Sequence, residues 1–235
     1  MEIIRFNEIN STNIYLKNNY KKLDNLTVVV ANHQTDGKGR LGRTWVDNDD
    51  LLFSILIKEN INKPTDYSLL IASTLLKVLK DYYPKVKWPN DIMVDDKKIC
   101  GVLLEAVTEK AIDCVVIGVG ININTESFPN DLLVKATSLK QVTNKRIDKE
   151  ELLNNIINAF SREYDDYINN KSDYISNIIN HFFLKDKNIS FEYLGKIING
   201  KVIGMSAEGE LLVESNKEII HLRSGEVTLE NVYKK

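Results

Sequence analysis

Residues 85 to 123 read KVKWPNDIMV, KKICGVLLEAV and DCVVIGVGINI, strand-like runs joined only by the short turns DD and TEKAI. A parallel strand pair needs a crossover of about a dozen residues or more, usually a helix. These connections are too short to hold one, so neighbouring strands here are expected to be antiparallel. Whatever else the chain forms has to be arranged around that meander.

The flanking segments supply the rest of a domain. Residues 2 to 9 read as a short strand that gives way near Ser11 to a helix, with Ile14, Tyr15, Leu16, Tyr20 and Leu23 at loosely helical spacing behind a Ser/Thr/Asn start. LTVVVANHQ and LLFSILIKE are two further strands, linked by a glycine-rich loop. From Pro64 to Tyr83, Leu69, Ala72, Leu75, Leu76 and Leu79 recur at spacings of three and four, with Pro84 just past the end, which predicts an amphipathic helix. A second helical face runs from Leu152 to Ile168 behind Asp148 as N-cap, and KSDYISNIINHFF predicts another helix. After about residue 186 short strands alternate with glycine turns at Gly195, Gly200, Gly204, Gly209 and Gly225. The expected architecture is α/β or α+β over residues 1–185, then a small all-β barrel over residues 186–235.

Composition narrows the function. Lys and Arg total 31 against 33 Asp and Glu, a formal charge of −2 that gives no general attraction to nucleic acid or to an anionic membrane, so any anion site must be local. Cys100 and Cys114 both lie in apolar runs and read as reduced core thiols. With no leader-like N-terminus and no run of about 18 apolar residues, the chain is expected to be soluble and cytoplasmic, without membrane contact.

Local positive charge does occur, in TDGKGRLGRTW. Gly37, Gly39 and Gly42 let backbone amides approach an anion, and Lys38, Arg40 and Arg43 supply charge that can fold around phosphates. The segment is neither a Walker loop nor a dinucleotide fingerprint, and taken alone it also reads as a solvated basic loop. In VKWPNDIMVDDKKICGVLLE, an acid, an amide and a lysine (Asp91, Asn90 and Lys98) can converge at strand ends, although singly Asp91 reads as a turn cap and Lys98 as an exposed turn residue. In GVGININ, Gly118 and Gly120 interrupt an apolar strand and permit close approach of a ligand or another backbone. His33, His181 and His221 make no metal-ligand spacing.

Taken in order, STN, Q-x-x-G-K-G-R-x-G-R-x-W, KWPNDI, K-x-x-G-x-L-x-E and G-x-G-I-N resemble the biotin protein ligases over residues 3 to about 125, and SGEVTLE at 224 to 230 resembles the end of that family's C-terminal SH3-like domain. The resemblance implies an α+β fold with a mixed, largely antiparallel central sheet like that of class II aminoacyl-tRNA synthetases. It implies an enzyme that uses biotin, ATP and Mg²⁺ to form biotinyl-5′-AMP and pyrophosphate, then passes biotin to a lysine of the biotin carboxyl carrier domain of a carboxylase. Under it, Ser11, Thr12, Asn13 and Gln34 would hold biotin's ureido group or line its pocket. Gly37, Lys38, Gly39 and Arg40 would form a loop closing over biotin and the adenylate. Arg43 would reach the ATP phosphates, and Trp45 would help to cover the adenylate. Lys98 would contact the biotin carboxylate and α-phosphate, beside Asn90 and Asp91, with Asp91 placed to orient or deprotonate the acceptor lysine. Gly101 and Gly118 would belong to the biotin pocket and Asn122 to the nucleotide or its metal. The metal ligands stay unassigned.

Two departures stand in the loop: Lys38 replaces the usual first arginine, which removes a bidentate grip on phosphate, and Leu41 sits where some members carry arginine. The resemblance begins almost at the first residue, so the expectation is a monofunctional ligase without a DNA-binding segment and without DNA as a partner. An exposed strand edge of the main sheet is expected to receive the acceptor, and the same edge could support a homodimer. Lipoate or octanoyl transfer on the same fold, and a noncatalytic RNA-binding or biotin-responsive module, are the alternatives; the biotin-type loop argues against the first and the near-neutral charge against the second.

Overall fold

A computed structural model of the protein describes residues 1–46, 48–193, 195–223 and 229–230. In chain order the elements are β1 (Ile3–Ile9), α1 (Thr12–Asn19), β2 (Val28–Gln34), β3 (Leu51–Ile57), α2 (Asp66–Val78), β4 (Lys85–Lys87), β5 (Asp91–Val94), β6 (Lys97–Thr108), β7 (Ile112–Ile121), α3 (Leu139–Thr143), α4 (Lys149–Ile168) and α5 (Tyr174–Asn180). A second group follows: β8 (Asn188–Tyr193), β9 (Lys196–Met205), β10 (Leu211–Ser215), β11 (Glu218–Leu222) and β12 (Leu229–Glu230).

The meander is antiparallel, as its short connections require, but it holds one strand more than the sequence suggested. KVKWPNDIMV is not a single interrupted strand. Pro89 cannot donate to a ladder, and the chain turns there, so that Lys87 pairs with Asp91 and β4 and β5 form a hairpin. The seven strands run in the order β1-β2-β3-β7-β6-β5-β4. Only β1 and β2 pair in parallel, and α1 lies between them in sequence as the crossover. The class is therefore α+β with a mixed, mostly antiparallel sheet. The α-helical part of the predicted 64–83 helix ends at Val78, with a 3-10 turn at Lys80–Tyr82 after it. α3, which the sequence did not signal, is capped by Ser138 accepting from the Gln141 amide.

Strand alternation sorts the side chains onto two faces. Val28, Val30, Ile55, Ile57, Val115 and Ile117 join the large core formed with α2 and α4. Val29, Leu56 and Val116, the residues between them, pack with Leu16 and Tyr20 in a smaller cluster. α1 therefore lies on one face of the sheet and α2 with α4 on the other. Asp148 caps α4 by accepting from the Glu150 and Glu151 amides. Among the described residues, no helix is long and apolar enough to cross a membrane.

The second sheet is antiparallel, in the order β11-β10-β9-β8-β12. Of SGEVTLE, residues 224–228 lie outside the described residues. The large core continues without a break into this sheet through Ile189, Phe191, Val202, Met205, Leu211, Val213 and Leu222. The two sheets are also joined by a hydrogen bond: buried Trp88, the first residue of the β4–β5 turn, donates its indole N–H to Gly209 O at 3.0 Å. Gly209 has φ of +81°, and a Cβ there would lie 2.5 Å from Leu69 Cδ1 on α2. A side chain at this position meets both a left-handed backbone and a buried neighbour. We expect Gly209→Ala to lower stability by about 1–2 kcal/mol, the cost of holding an L-residue in that conformation; a shift of the urea midpoint to lower concentration at unchanged slope is the check.

Candidate functional site

The site is built where the sheet lacks side chains. Gly101 on β6 pairs directly with Gly120 on β7, and Leu103 pairs with Gly118. Residues two apart share a face, so Gly101, Gly118 and Gly120 leave a trough on the α1 side of the sheet. Three larger side chains use it. A Cβ at Gly118 would lie 2.4 Å from Asn13 Oδ1, one at Gly120 2.6 Å from Trp45 Cε2, and one at Gly101 2.8 Å from Lys98 Nζ.

Lys98 precedes Gly101 by three residues, an odd number that would set it on the opposite face of a regular strand. β6 carries a bulge there: Ile92 pairs with Cys100 and Met93 with Lys98, leaving Ile99 without a counterpart. A bulge of this kind inverts the alternation, and Lys98 comes to the same side as Gly101. Asp91, which pairs with Gly101, meets it in an ion pair of 2.7 Å. Asn90 is fixed by donating to Val102 O at 2.7 Å, and its Oδ1 accepts from Arg40 Nη1 at 3.1 Å.

The glycine-arginine loop is a small hairpin. Lys38 and Thr44 form an antiparallel bridge, Gly39 N donates to Arg43 O at 2.7 Å, and Trp45 N donates to Gly37 O at 3.0 Å. Leu41 stands at its tip with φ of 57° and is 72% exposed. Beyond the hairpin Asp50 is buried, and its Oδ1 accepts from Ile123 N at 3.0 Å and Thr125 Oγ1 at 2.7 Å, which ties the end of the loop to the G-x-G-I-N segment.

At the other end of the trough, the backbone of Ser11 opens α1 in an extended conformation, without a side-chain cap. Thr12 N donates to Gln34 Oε1 at 2.8 Å, and Thr12 Oγ1 lies 2.6 Å from Ser54 Oγ. Ser54 Oγ donates to Asn13 Oδ1 at 2.5 Å, and Asn13 Nδ2 donates to Glu105 Oε2 at 2.7 Å.

One cavity is lined by most of the residues named from the sequence: Ser11, Thr12, Asn13, Gln34, Lys38, Gly39, Arg40, Trp45, Asn90, Lys98, Gly101 and Gly118. Leu52, Phe53, Val102, Leu103, Val119 and Gly120 complete its wall. Four sequence candidates stand elsewhere. Gly37 is buried behind Trp45, Arg43 is exposed, and Asp91 lies behind Lys98. Asn122 is buried and donates to Thr137 O at 3.1 Å. Lys38 lines the cavity, but its ammonium is paired with Asp36 at 2.5 Å.

Electrostatics single out a residue that sequence reasoning left aside. Burial pulls the half-buried Lys87 ammonium down to about 8; Asp91 opposes the shift, and Lys98, Arg43 and Lys187 add to it. Burial also lowers the Arg40 guanidinium, against the pull of Asp91. Burial and like charge thus both act on cations near one end of the cavity, the arrangement expected of a polyanion site. Ser54, Glu105 and Asp50 were likewise passed over, although Lys87 and Glu105 sit inside quoted motifs. The indole N–H of Trp45, a residue of the cavity wall, is buried with no hydrogen-bond partner among the described residues.

The family model described as the biotin/lipoate A/B protein ligase family matches residues 5–122, half of the chain. The chain belongs to that family. A second model, the biotin protein ligase C terminal domain, matches residues 186–229. Among individual relatives, the bifunctional ligase/repressor BirA of Bacillus subtilis is 31% identical over 214 residues, 86% of this chain and 66% of that protein; this chain thus spans just under two thirds of its length. The biotin–[acetyl-CoA-carboxylase] ligase of Mycobacterium tuberculosis is 32% identical over 124 residues, 48% of this chain and 44% of its own. Among solved structures, the biotin protein ligase from Aquifex aeolicus in complex with biotin and ATP superposes with a TM-score of 0.86 at 28% identity, covering 97% of this chain and 98% of that one. The family's glycine-arginine hairpin, KWPND turn and G-x-G-I-N strand therefore meet here in one cavity.

The seat of Trp45 on Gly120 can be tested without substrate. The chain has two tryptophans, so in a Trp88→Phe background Trp45 reports alone. Gly120→Ala is expected to unseat the indole, seen as red-shifted emission and a severalfold gain in acrylamide quenching.

Proposed function

We propose that this protein is an ATP-dependent biotin protein ligase that activates biotin as biotinyl-5′-AMP and transfers it to a lysine of a biotin carboxyl carrier domain. The observation that carries this reading is the convergence of Lys98, Arg40 and Asn90 on a glycine trough whose far end is a buried network of neutral amides and hydroxyls. That pairing of a cationic end with a neutral polar end suits a ligand with a reactive carboxylate at one end and an uncharged hydrogen-bonding head at the other.

In the first half-reaction a biotin carboxylate oxygen attacks the α-phosphorus, the α–β phosphoanhydride bond breaks, and pyrophosphate leaves with the bonding pair. Two anions must be brought together, so the Lys98 ammonium would bridge carboxylate and α-phosphate while Arg40 and Lys87 offset the charge of the phosphates. The Lys98 ammonium stands over Trp45, 5.3 Å from the ring centroid. In the second, the neutral acceptor amine attacks the acyl carbon, AMP departs, and the ammonium proton of the new amide nitrogen is given up, with Asp91, the ion-pair partner of Lys98, as its proposed acceptor. Mg²⁺ would screen the phosphates. It is commonly held by one or two carboxylates together with the nucleotide, for which Asp91 would be the carboxylate, while the Asn90 amide is already taken up by Arg40 and Val102 O; among the described residues no group of three or more metal-binding side chains is gathered.

We place the boundary between the catalytic and C-terminal domains at residues 185 and 186, just before β8. For the acceptor we favour the β1 edge. The opposite edge is covered, since Val86 on β4 exchanges backbone hydrogen bonds with His181 and Phe183.

Mass spectrometry after incubation with biotin, ATP and Mg²⁺ should find biotinyl-AMP, reduced about 100-fold or more in Lys98→Ala, the scale of losing one charge-stabilising donor. Adenylate formation with octanoate or lipoate and none with biotin would reassign the substrate, and no adenylate with any of the three would end the enzymatic reading.

Lys87 adds a pH dependence with a definite sign. Its ammonium is largely present at pH 7 and is lost as pH rises through about 8, whereas a bound triphosphate favours the charged form. The KM for ATP should therefore climb between pH 7.5 and 9.5, and Lys87→Met should start from a higher KM and flatten the profile.

A further inference from the structure

Glu105 ends the K-x-x-G-x-L-x-E pattern, and no step above employs it. It follows Gly101 and Leu103 at two-residue spacing on β6, so it faces the same side as the trough, at the end away from Lys98. One carboxylate oxygen is held by Lys17 at 2.5 Å and the other accepts from Asn13 Nδ2 at 2.7 Å. We infer that Glu105 is a positioning residue: through Asn13 and Ser54 it fixes Thr12 Oγ1 as an acceptor at the head of the pocket, and so favours a ligand that brings an N–H there. This inference rests on the biotin reading.

The reasoning is a count of protons. An ionised carboxylate only accepts, so Asn13 must turn its NH₂ to Glu105 and its Oδ1 to Ser54. Ser54 has a single hydroxyl proton, and it is spent on Asn13 Oδ1 at 2.5 Å. The 2.6 Å contact between Thr12 Oγ1 and Ser54 Oγ is then a donation from Thr12. The Thr12 hydroxyl proton is now used as well and cannot also serve Gln34 Oε1, 3.1 Å away. Gln34 Oε1 is kept in place by the Thr12 backbone N–H at 2.8 Å, which turns the Gln34 NH₂ the other way. Thr12 Oγ1 therefore presents lone pairs and not a proton to the head of the pocket. A ligand N–H is the complement of that acceptor.

Ser54 is 0% exposed, Thr12 3% and Asn13 4%, so water does not average these orientations. Gly118 contributes by absence, since its Cβ would occupy the place of Asn13 Oδ1. Without the terminal carboxylate nothing distinguishes the two orientations of the Asn13 amide, and the hydroxyl chain loses its direction.

The test measures KM for biotin and for ATP separately by pyrophosphate release, with thermal melts as a folding control. Glu105→Leu is expected to raise the biotin KM about tenfold or more, the scale of one mispaired buried hydrogen bond, with the ATP KM within about twofold. Asn13→Asp should do the same or worse by setting two carboxylates face to face. Combining Asn13→Asp with Glu105→Gln reinstates the polarity, since the amide introduced on β6 can donate to the carboxylate introduced on α1, and that carboxylate can still accept from Ser54; biotin KM should return to within about fivefold of the parent. A Glu105→Leu protein with an unchanged biotin KM, or with both KM values raised alike, would overturn the inference. So would a double variant no better than Asn13→Asp, and this comparison decides the matter if Glu105→Leu does not fold. A parent protein that fails to use biotin at all defeats the functional reading, and the inference with it; a parent that uses biotin while the variants give either of those overturning results defeats the inference alone.

Discussion

Cross-strand pairing of Gly101 with Gly120 is the constraint on which the site rests. Two side chains absent from facing positions make a gap in the surface of an otherwise filled sheet, and the row continues through Asp91 on β5 and Leu52 on β3. Trp45 and the stem of Lys98 fit into it only because no Cβ is there. The bulge at Ile99 adds the second requirement. Without the extra residue the lysine would face α2 and the large core, where an ammonium without a partner is costly. Register on one strand and residue type on two thus decide together that a cation stands beside the trough.

The two ends of the cavity differ in how they treat charge. Near β4 and β5, Lys87 feels the charges of Lys98 and Arg43, Arg40 feels that of Arg43, and Asp91 opposes the shift of both Lys87 and Arg40. Under α1 the carboxylate of Glu105 is matched by Lys17 and reaches the pocket only through neutral groups. An anion is therefore favoured at one end and a neutral polar group at the other, and a ligand long enough to span both is oriented before any chemistry begins.

Much of this was legible in the sequence, for physical reasons that differ by element. Turn length alone dictated the antiparallel meander, and apolar spacing located α1, α2 and α4. The glycine loop and the KWPND turn each read singly as a solvated loop or a capped turn, and it was their order along the chain, resembling the biotin protein ligases, that marked them out. What escaped was whatever depends on pairing across distance. Ile99 looks like any other strand residue until its partner strand is in place. Glu105 reads as an ordinary outward polar position on an alternating strand, and its meeting with Asn13 spans 92 residues of chain. Ser54 sits in an apolar run, where it resembles a tolerated small residue, and Lys87 could be recognised only once burial had lowered its affinity for a proton. Trp88 looked like part of the reactive motif, yet its indole joins the two sheets.

The hairpin of Gly37 to Trp45 closes its backbone hydrogen bonds on itself, and its tip holds to the sheet through Arg40 and Asn90. Trp45 at its end is seated against Gly101 and Gly120. The ordering entropy of the loop is already spent before a ligand arrives, so a polyanion that draws Arg40 away from Asn90 has to offset one guanidinium–amide contact and not the ordering of the loop. The guanidinium is thus held ready by a neutral amide, a partner that an anion displaces more readily than it would a carboxylate.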